Sequence, residues 1–503
     1  MIAVLLATRI VGPGVPACEA TTPSSPNFQA APFDFDPEAQ AYAFVQAMAD
    51  DDFQTAYEML APESVPIDWI CAYADVGPLE DFWRHTVHEP GAPVSVEAIR
   101  VQGFMPEGDF LTVLVRVSQT KASADASMSY LDVSMLRDGR IASVTTSAAP
   151  PSMGSGSTSA PPPNADLAAF VESEISIGDP PWALGATLTM PRGTGPFPAV
   201  VLAPWDSHTD RDAAFGELKM NRDLAWGLAT MGVASLRYDP RAWTHALAFA
   251  RQADFTLEDE IVDDVLIAVA ALRATPSIDA ARIHVLAMNT SGFAGPRIAQ
   301  RDPAIAGLIV FATSSDGIIE KSIRRAQILD ERYFGEERQR VVRKQIQSDI
   351  AKRRAAAIAA LTGGPMAVPD MTLREAYVRD LAEYRPAETA RTLSVPLLIL
   401  NSAKSTVLTK DEIYGWIESL SKRRHAAFRL YERGLIISGE ASESETQVEE
   451  RVSDELVSDI TAWIEGSWPV TACANLESWF AGCRGGPDSA VREIHLDWFG
   501  GSA

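Results

Sequence analysis

A chain of 503 residues, 47% of them hydrophobic, is long enough for two or three domains and too apolar for wholesale disorder. A formal net charge of -24 argues against nucleic acid as a partner, because phosphate binding by counterion release needs clustered Lys and Arg. No run approaches the ~20 apolar residues of a membrane-spanning helix. The four Cys form no C-x-x-C pair and no Cys/His cluster of the zinc type, so neither metal nor cofactor is expected.

Residues 1–18 end in Val15-Pro-Ala-Cys18. A short apolar stretch closing on small residues before a cysteine is similar to a bacterial lipoprotein signal, although no basic residue opens it and Arg9 interrupts it. The expectation is export, with Cys18 as a candidate lipid anchor. Without a working signal the chain would stay cytoplasmic. Residues 19–36, rich in Pro, Ser, Thr and Ala, read as a tether.

From Pro37 onward apolar residues recur three to four apart, at Ala41, Phe44, Val45, Met48, Phe53, Tyr57 and Leu60, which predicts helix. Strands are predicted at Val94–Val101, Leu111–Val117 and Met128–Met135. Arg137-Asp-Gly-Arg140 then turns the chain into Ile141–Val144. Helices followed by an antiparallel sheet make residues 37–146 a small α+β domain. "AYAFVQAMADDDFQTAYEML", Trp69 and this strand pattern resemble cystatin-like or NTF2-like domains. Residues 147–164, rich in Gly, Ser and Pro, read as a flexible linker and the domain boundary.

Residues 165–467 alternate strand and helix. Strands are predicted at Leu184–Met190, Ala199–Ala203, Ala234–Tyr238, Ile283–Leu286, Gly307–Phe311, Pro396–Leu400 and Ala427–Tyr431. Helices are predicted around Leu218–Met231, from Thr256 with Asp259 as its capping partner, at Phe293–Gln300 and near Val452–Ile464. This predicts an α/β class domain with a doubly wound, mostly parallel sheet. Helical sequence at 317–390 interrupts it as a lid. That lid is locally basic (Arg324, Arg325, Arg338, Arg340, Arg343, Lys344, Arg353, Arg354), which reads first as a solvated helix face. Residues 468–503 form a C-terminal extension with Cys473 and Cys483 as a candidate disulfide.

Asn221-Arg-Asp-Leu-Ala-Trp-Gly-Leu-Ala229, Leu236-Arg-Tyr-Asp-Pro-Arg241, the helix "TLEDEIVDDVLIAVAALR" and Gly295-Pro-Arg-Ile-Ala299 together resemble bacterial α/β-hydrolases of the serine-peptidase and esterase type, over roughly residues 165–465. The resemblance implies a Gly-His-Ser-x-Gly-Gly elbow, a Gly-x-x-Asp turn, a Gly-x-x-His turn and a His-Gly-Ser-Gly oxyanion loop. This chain departs from each. Aligned through Val285-Leu286 and Pro296-Arg297, Asn289 stands at the nucleophile position and Ser405 at the acid position, while Ile437 takes the position of the base. The oxyanion loop reads Pro204-Trp205-Asp206-Ser207, and Pro204, Trp205, Met288 and Thr290 stand at the oxyanion positions. An amide is not a useful nucleophile, and Pro204 has no N–H.

The expectation is therefore a catalytically degenerate scaffold kept for binding. Its partner would be a small apolar or acyl ligand beneath the lid, or another protein. The alternative is an active esterase or acyl hydrolase with displaced groups, for which Ser291 or Ser207 would serve as nucleophile and His208 as base. Asp206, Asp210 and Asp239 read as surface or turn residues.

Overall fold

The computed structural model describes residues 34–61, 77–84, 94–105, 110–120, 126–147, 161–207, 209–215, 218–252, 254–317, 375–402, 408, 410–420, 422–423, 425–431, 436–438 and 450–468. Cys18 and the signal-like segment lie outside them, as do most of the tether, linker and lid, and the tail with Cys473 and Cys483. Among the described residues no helix is long and apolar enough to cross a membrane.

The chain divides into two compact units. The smaller gathers residues 1–156, 242–255 and 322–382. Its first helix α1 (Pro37–Ala49) starts where Asp36 accepts from the N–H groups of Glu38 and Ala39, both at 3.1 Å, with Pro37 pre-set for the first turn. Helices α2 (Phe53–Glu58) and α3 (Gly77–Phe82) follow. Strands β1 (Val94–Met105), β2 (Phe110–Thr120), β3 (Ala126–Met135) and β4 (Ile141–Ser147) form an antiparallel meander. Alternation along β2 and β3 sends Val113, Val115, Val117, Leu131, Val133 and Met135 to one face, where they bury Phe44, Val45 and Met48 of α1.

Two register shifts bulge β1 and re-aim Phe104. Its ring meets Phe249 and Phe255 edge-on, at 6.1 and 5.7 Å between centroids, and Phe255 packs on Tyr377 at 5.2 Å. Phe249 belongs to the short helix α6 (Ala246–Ala250), which follows α5 (Arg241–Thr244). A segment that sequence order places between two elements of the larger sheet is thus built into the smaller unit.

The larger unit is an eight-stranded sheet. Its strands are β5 (Phe170–Ile177), β6 (Leu184–Pro191), β7 (Phe197–Leu202), β10 (Ala234–Tyr238), β11 (Ile278–Met288), β12 (Gly307–Phe311), β13 (Leu397–Ser402) and β14 (Ala426–Tyr431). The two-residue strands β8 (Ala214–Phe215) and β9 (Leu218–Lys219) pair outside it. The spatial order is β14-β13-β12-β11-β7-β10-β6-β5. Only β6 runs antiparallel, to both its neighbours; the other pairings are parallel. Crossovers run through α4 (Met220–Thr230), α7 (Asp263–Arg273), α8 (Asn289–Arg301), α10 (Pro386–Thr392) and α11 (Lys410–Leu420), and α12 (Asp454–Ile464) closes the unit, while α9 (Glu375–Glu383) belongs to the smaller unit in all but its last residue. A five-residue π-helical turn, Glu258–Val262, leads into α7, and Asp259 accepts from Thr256 N–H at 2.9 Å at its start.

The central strands are buried on both faces, which is why β7, β12 and β13 read as unbroken apolar runs. The edge strand β5 escapes the sequence reading for the opposite reason. Its Phe-Val-Glu-Ser-Glu-Ile-Ser-Ile carries polar residues on exposed positions and only its ends are buried.

Candidate functional site

In a doubly wound sheet the reactive groups collect at the carboxyl ends of the strands. The sharpest feature there lies between β11 and α8. Met288 is extended (φ -121°, ψ 148°), Asn289 is left-handed (φ 47°), and the helix starts at once. Asn289 is partly exposed at this apex while Ala287, Met288, Thr290 and Ser291 are buried around it. Non-glycine residues seldom take positive φ, and asparagine does so more readily than most. The sharp turn also needs small neighbours. A Cβ on Gly292 would sit 1.9 Å from Thr313 Oγ1, and one on Gly295 would press on Leu308 and Ala287 at 3.3–3.5 Å.

The loop after β7 meets this elbow. Trp205, Asp206 and Ser207 are all buried; Asp206, read as a surface or turn residue, lies in a bend but not on the surface. The backbone N–H of Thr290 donates to the carbonyl of Trp205 at 3.2 Å. Farther along, Asp210 is half-buried. Burial, then the nearby Asp212 and Asp239 charges, push its carboxyl up to about 6, opposed by the Ala214 N–H.

Two arginines that the sequence reading passed over lace this loop to the sheet. Arg211 donates to Asp239 (2.6 Å), Glu174 (2.5 Å) and Thr187 (3.0 Å). Arg237 donates to Asp212 (2.9 Å), Glu172 (2.7 Å) and Thr189 (3.0 Å). A side chain at Gly185 would collide with the Arg211 guanidinium at 2.4 Å. The signal available in sequence was the repeat of Glu at alternate positions 172 and 174 of an edge strand, on the face that the arginines approach.

After β10, Asp239 accepts from the Arg211 backbone N–H at 2.8 Å, and Arg241 is anchored on Asp264. Arg241 gives its backbone N–H and its Nε to the two oxygens of Asp264, at 2.8 and 2.6 Å, and its guanidinium lies 5.8 Å from the Trp182 ring centroid. Burial pushes Asp264 up to about 6 while the Arg241 charge and hydrogen bonds pull it back.

The remaining candidates are less gathered. Ser207 and Ser291 are buried, and neither hydroxyl has a hydrogen-bond partner among the described residues. His208 and Ser405 lie outside the described residues. Ile437 sits in the short strand β15 (Ile436–Ser438), paired with β16 (Glu450–Val452) with Arg451 as its register partner. Among the described histidines, His284 is buried on β11. Burial drives its imidazole down to about 4, and Nδ1 faces the Arg282 carbonyl at 3.2 Å. No group of three or more His, Cys, Asp or Glu among the described residues has the arrangement to hold a metal.

The strand order, with a single antiparallel strand second from the edge and an elbow after the fifth strand, decides the architecture. The larger unit has an α/β-hydrolase fold. No family model matches the sequence. Esterase EstD of Thermotoga maritima is 28% identical over 309 residues, covering 59% of this chain and 68% of that protein. Among solved structures, a Pyrococcus furiosus esterase aligns over 52% of this chain and 82% of its own, with 12% identity and a TM-score of 0.35. A 2,6-dihydroxy-pseudo-oxynicotine hydrolase aligns over 52% and 61%, with 14% identity and a TM-score of 0.35. A Porphyromonas gingivalis dipeptidyl peptidase 4 aligns over 74% of this chain with 11% identity and a TM-score of 0.37; this chain spans only 50% of it. The α/β-hydrolase unit is thus esterase-like in sequence and carries Asn289 at its elbow.

Proposed function

We propose that the α/β-hydrolase unit is an esterase-type scaffold that holds an acyl or ester-like ligand at the elbow without forming an acyl-enzyme. The observation that carries this reading is Asn289 at the apex, partly exposed and left-handed. A carboxamide has no proton whose loss makes a competent nucleophile, whereas its N–H and C=O groups suit it to hydrogen-bond a carbonyl or hydroxyl. The engagement of Thr290 N–H by Trp205 supports the same reading, because that donor is already used within the protein. Ser405 and Ile437 at the acid and base positions add to it; neither can orient or accept a proton in the manner of a triad.

A second reading has its own support, and the comparisons weigh toward it. Similarity to an esterase over 309 residues favours ester hydrolysis by displaced groups, with Ser291 or Ser207 as nucleophile and His208 as base. For either serine the burial of its hydroxyl is the obstacle, since substrate and base must both reach it.

One experiment separates the two. The full chain is incubated with a fluorophosphonate probe and, in parallel, with p-nitrophenyl esters of two to twelve carbons. Peptide mapping then locates any label. A phosphonylated serine with turnover above buffer establishes the hydrolytic reading and ends the binding one. Absence of label and turnover, with p-nitrophenol-free protection of the 286–295 amides by the same acyl chains as free carboxylates, supports binding.

A further inference from the structure

The loop after β12 borders the elbow but takes no part in the proposed chemistry. Ala312, Thr313, Ser314 and Ser315 are all buried, and Ala312 is left-handed at φ 50°. Thr313 Oγ1 lies 2.9 Å from the carbonyl of Phe311 and 3.2 Å from that of Asn289, so one hydroxyl proton is shared between strand and elbow. From the other side, Trp416 Nε1 of α11 donates to the Thr313 carbonyl at 2.8 Å. Two glycines make the fit possible. A Cβ on Gly292 would strike Thr313 Oγ1, and a Cβ on Gly415 would come within 2.1 Å of Ser315 Oγ. The loop is therefore wedged between the first turn of α8 and the middle of α11, with glycine at both points of closest approach.

We propose that Thr313 is a positioning residue for the elbow: its hydroxyl holds the Asn289 carbonyl, and Trp416 holds Thr313. A left-handed non-glycine residue persists only where its surroundings over-determine it. The Thr313 hydroxyl is a side-chain contact on the apex residue that supplies such a constraint, and its buried position lets no water substitute for it. The proposal rests on Asn289 as the apex of the site, but not on whether the unit binds or hydrolyses its ligand.

The test puts a reporter at the apex. In the full chain, Asn289→Cys places a thiol at the start of α8, where the helix N-terminus favours the thiolate and lowers its pKa below the free value. Alkylation by iodoacetamide is followed against pH, with mass spectrometry separating this thiol from the four natural cysteines. Adding Thr313→Val should raise the apparent pKa and slow alkylation at pH 7 by about fivefold, the factor an ordinary hydrogen bond is worth. Thr313→Ser should restore the parent profile. Trp416→Phe, which removes only the Nε1 donor, should shift the profile in the same direction. If Thr313→Val does not fold, Trp416→Phe decides. A profile unmoved by these changes overturns the proposal. Failure of the ligand-binding reading would leave the thiol profile as expected, so the two failures are distinguishable.

Discussion

The N–H of Thr290 points at the carbonyl of Trp205, 3.2 Å away. It is the amide that follows the apex, and in acyl transfer such an amide receives the developing oxyanion. Here its partner is a carbonyl of the loop after β7, which is itself held by buried Trp205 and Ser207. Trp205→Ala removes the buried indole and should cost about 3–5 kcal/mol of global stability. Beyond that loss, the Thr290 amide should exchange at least about tenfold faster relative to core amides such as Val285, because its local partner becomes mobile. Hydrogen exchange resolved by peptide at 286–292 makes the comparison. Equal loss of protection at both sites would mean that the loop is fixed by its other contacts.

On the proposed reading, placing a serine at the apex should not produce hydrolysis. Asn289→Ser supplies a hydroxyl, but the hydroxyl needs a base and an orienting acid. Ser405 and Ile437 are neither, and the Thr290 donor, of a kind worth about 3–4 kcal/mol in acyl transfer, is engaged by Trp205. Initial rates with p-nitrophenyl acetate should equal those of the parent protein. A rate well above background would mean that a base already stands near the apex, and His208 would be the first residue to replace.

The sheet was legible because its central strands are apolar on both faces, and β10 and β12 begin and end where the sequence placed them. The elbow was legible because Val285-Leu286 before it and the Pro296-Arg297 pair of α8 after it bracket Asn289. Edge strand β5 was missed because five of its eight positions are exposed and two of these are Glu, which leaves no apolar run to read. Asp206 was misplaced because the burial of a turn residue is set by how distant segments pack over it, which no local pattern encodes. Thr313 was invisible for the same reason; only the close approach of Gly292, 21 residues earlier, gives it meaning.

The composition of the smaller unit carries a consequence for proteolysis. Residues 242–255 belong to it, yet they are covalently joined to the larger sheet through β10 and α7. Cutting within 148–160 should leave residues 34–147 attached, since Phe104 still packs on Phe249 and Phe255 of the other fragment. Those rings bury roughly 2–3 kcal/mol of apolar surface each. Two bands on a denaturing gel with one peak in native gel filtration is the expected outcome. Two native peaks would show that the aromatic cluster does not hold the fragments together. Phe104→Ala should then favour separation in any protein that had stayed whole.

Stability against pH tests the buried titrating groups, and their signs oppose. Burial lowers His284 from about 6.5 to about 4, so its contribution is fully present above pH 6.5 and is lost as pH falls through 4, by about 3 kcal/mol in all. Asp210 and Asp264 are raised from 3.8 to about 6, so each weighs against the fold above pH 6 and that burden lifts as pH falls toward 4. For Asp210 the causes are burial first, then the charges of Asp212 and Asp239, against the Ala214 N–H and Lys219. Over pH 6.5 to 4 the effects oppose, and because two acids stand against one histidine, this group of residues should leave the parent chain modestly more stable toward pH 4. His284→Phe keeps an aromatic ring against Trp463, which lies 5.5 Å away, and removes the titration. Its unfolding free energy relative to the parent should rise as the pH is lowered through this window. Asp210→Asn should do the reverse and lose stability relative to the parent over the same range. Urea unfolding at pH 6.5, 5 and 4 measures all three chains. If the His284→Phe curve runs parallel to the parent, His284 is not held neutral in the fold, and the opposition between these groups does not exist.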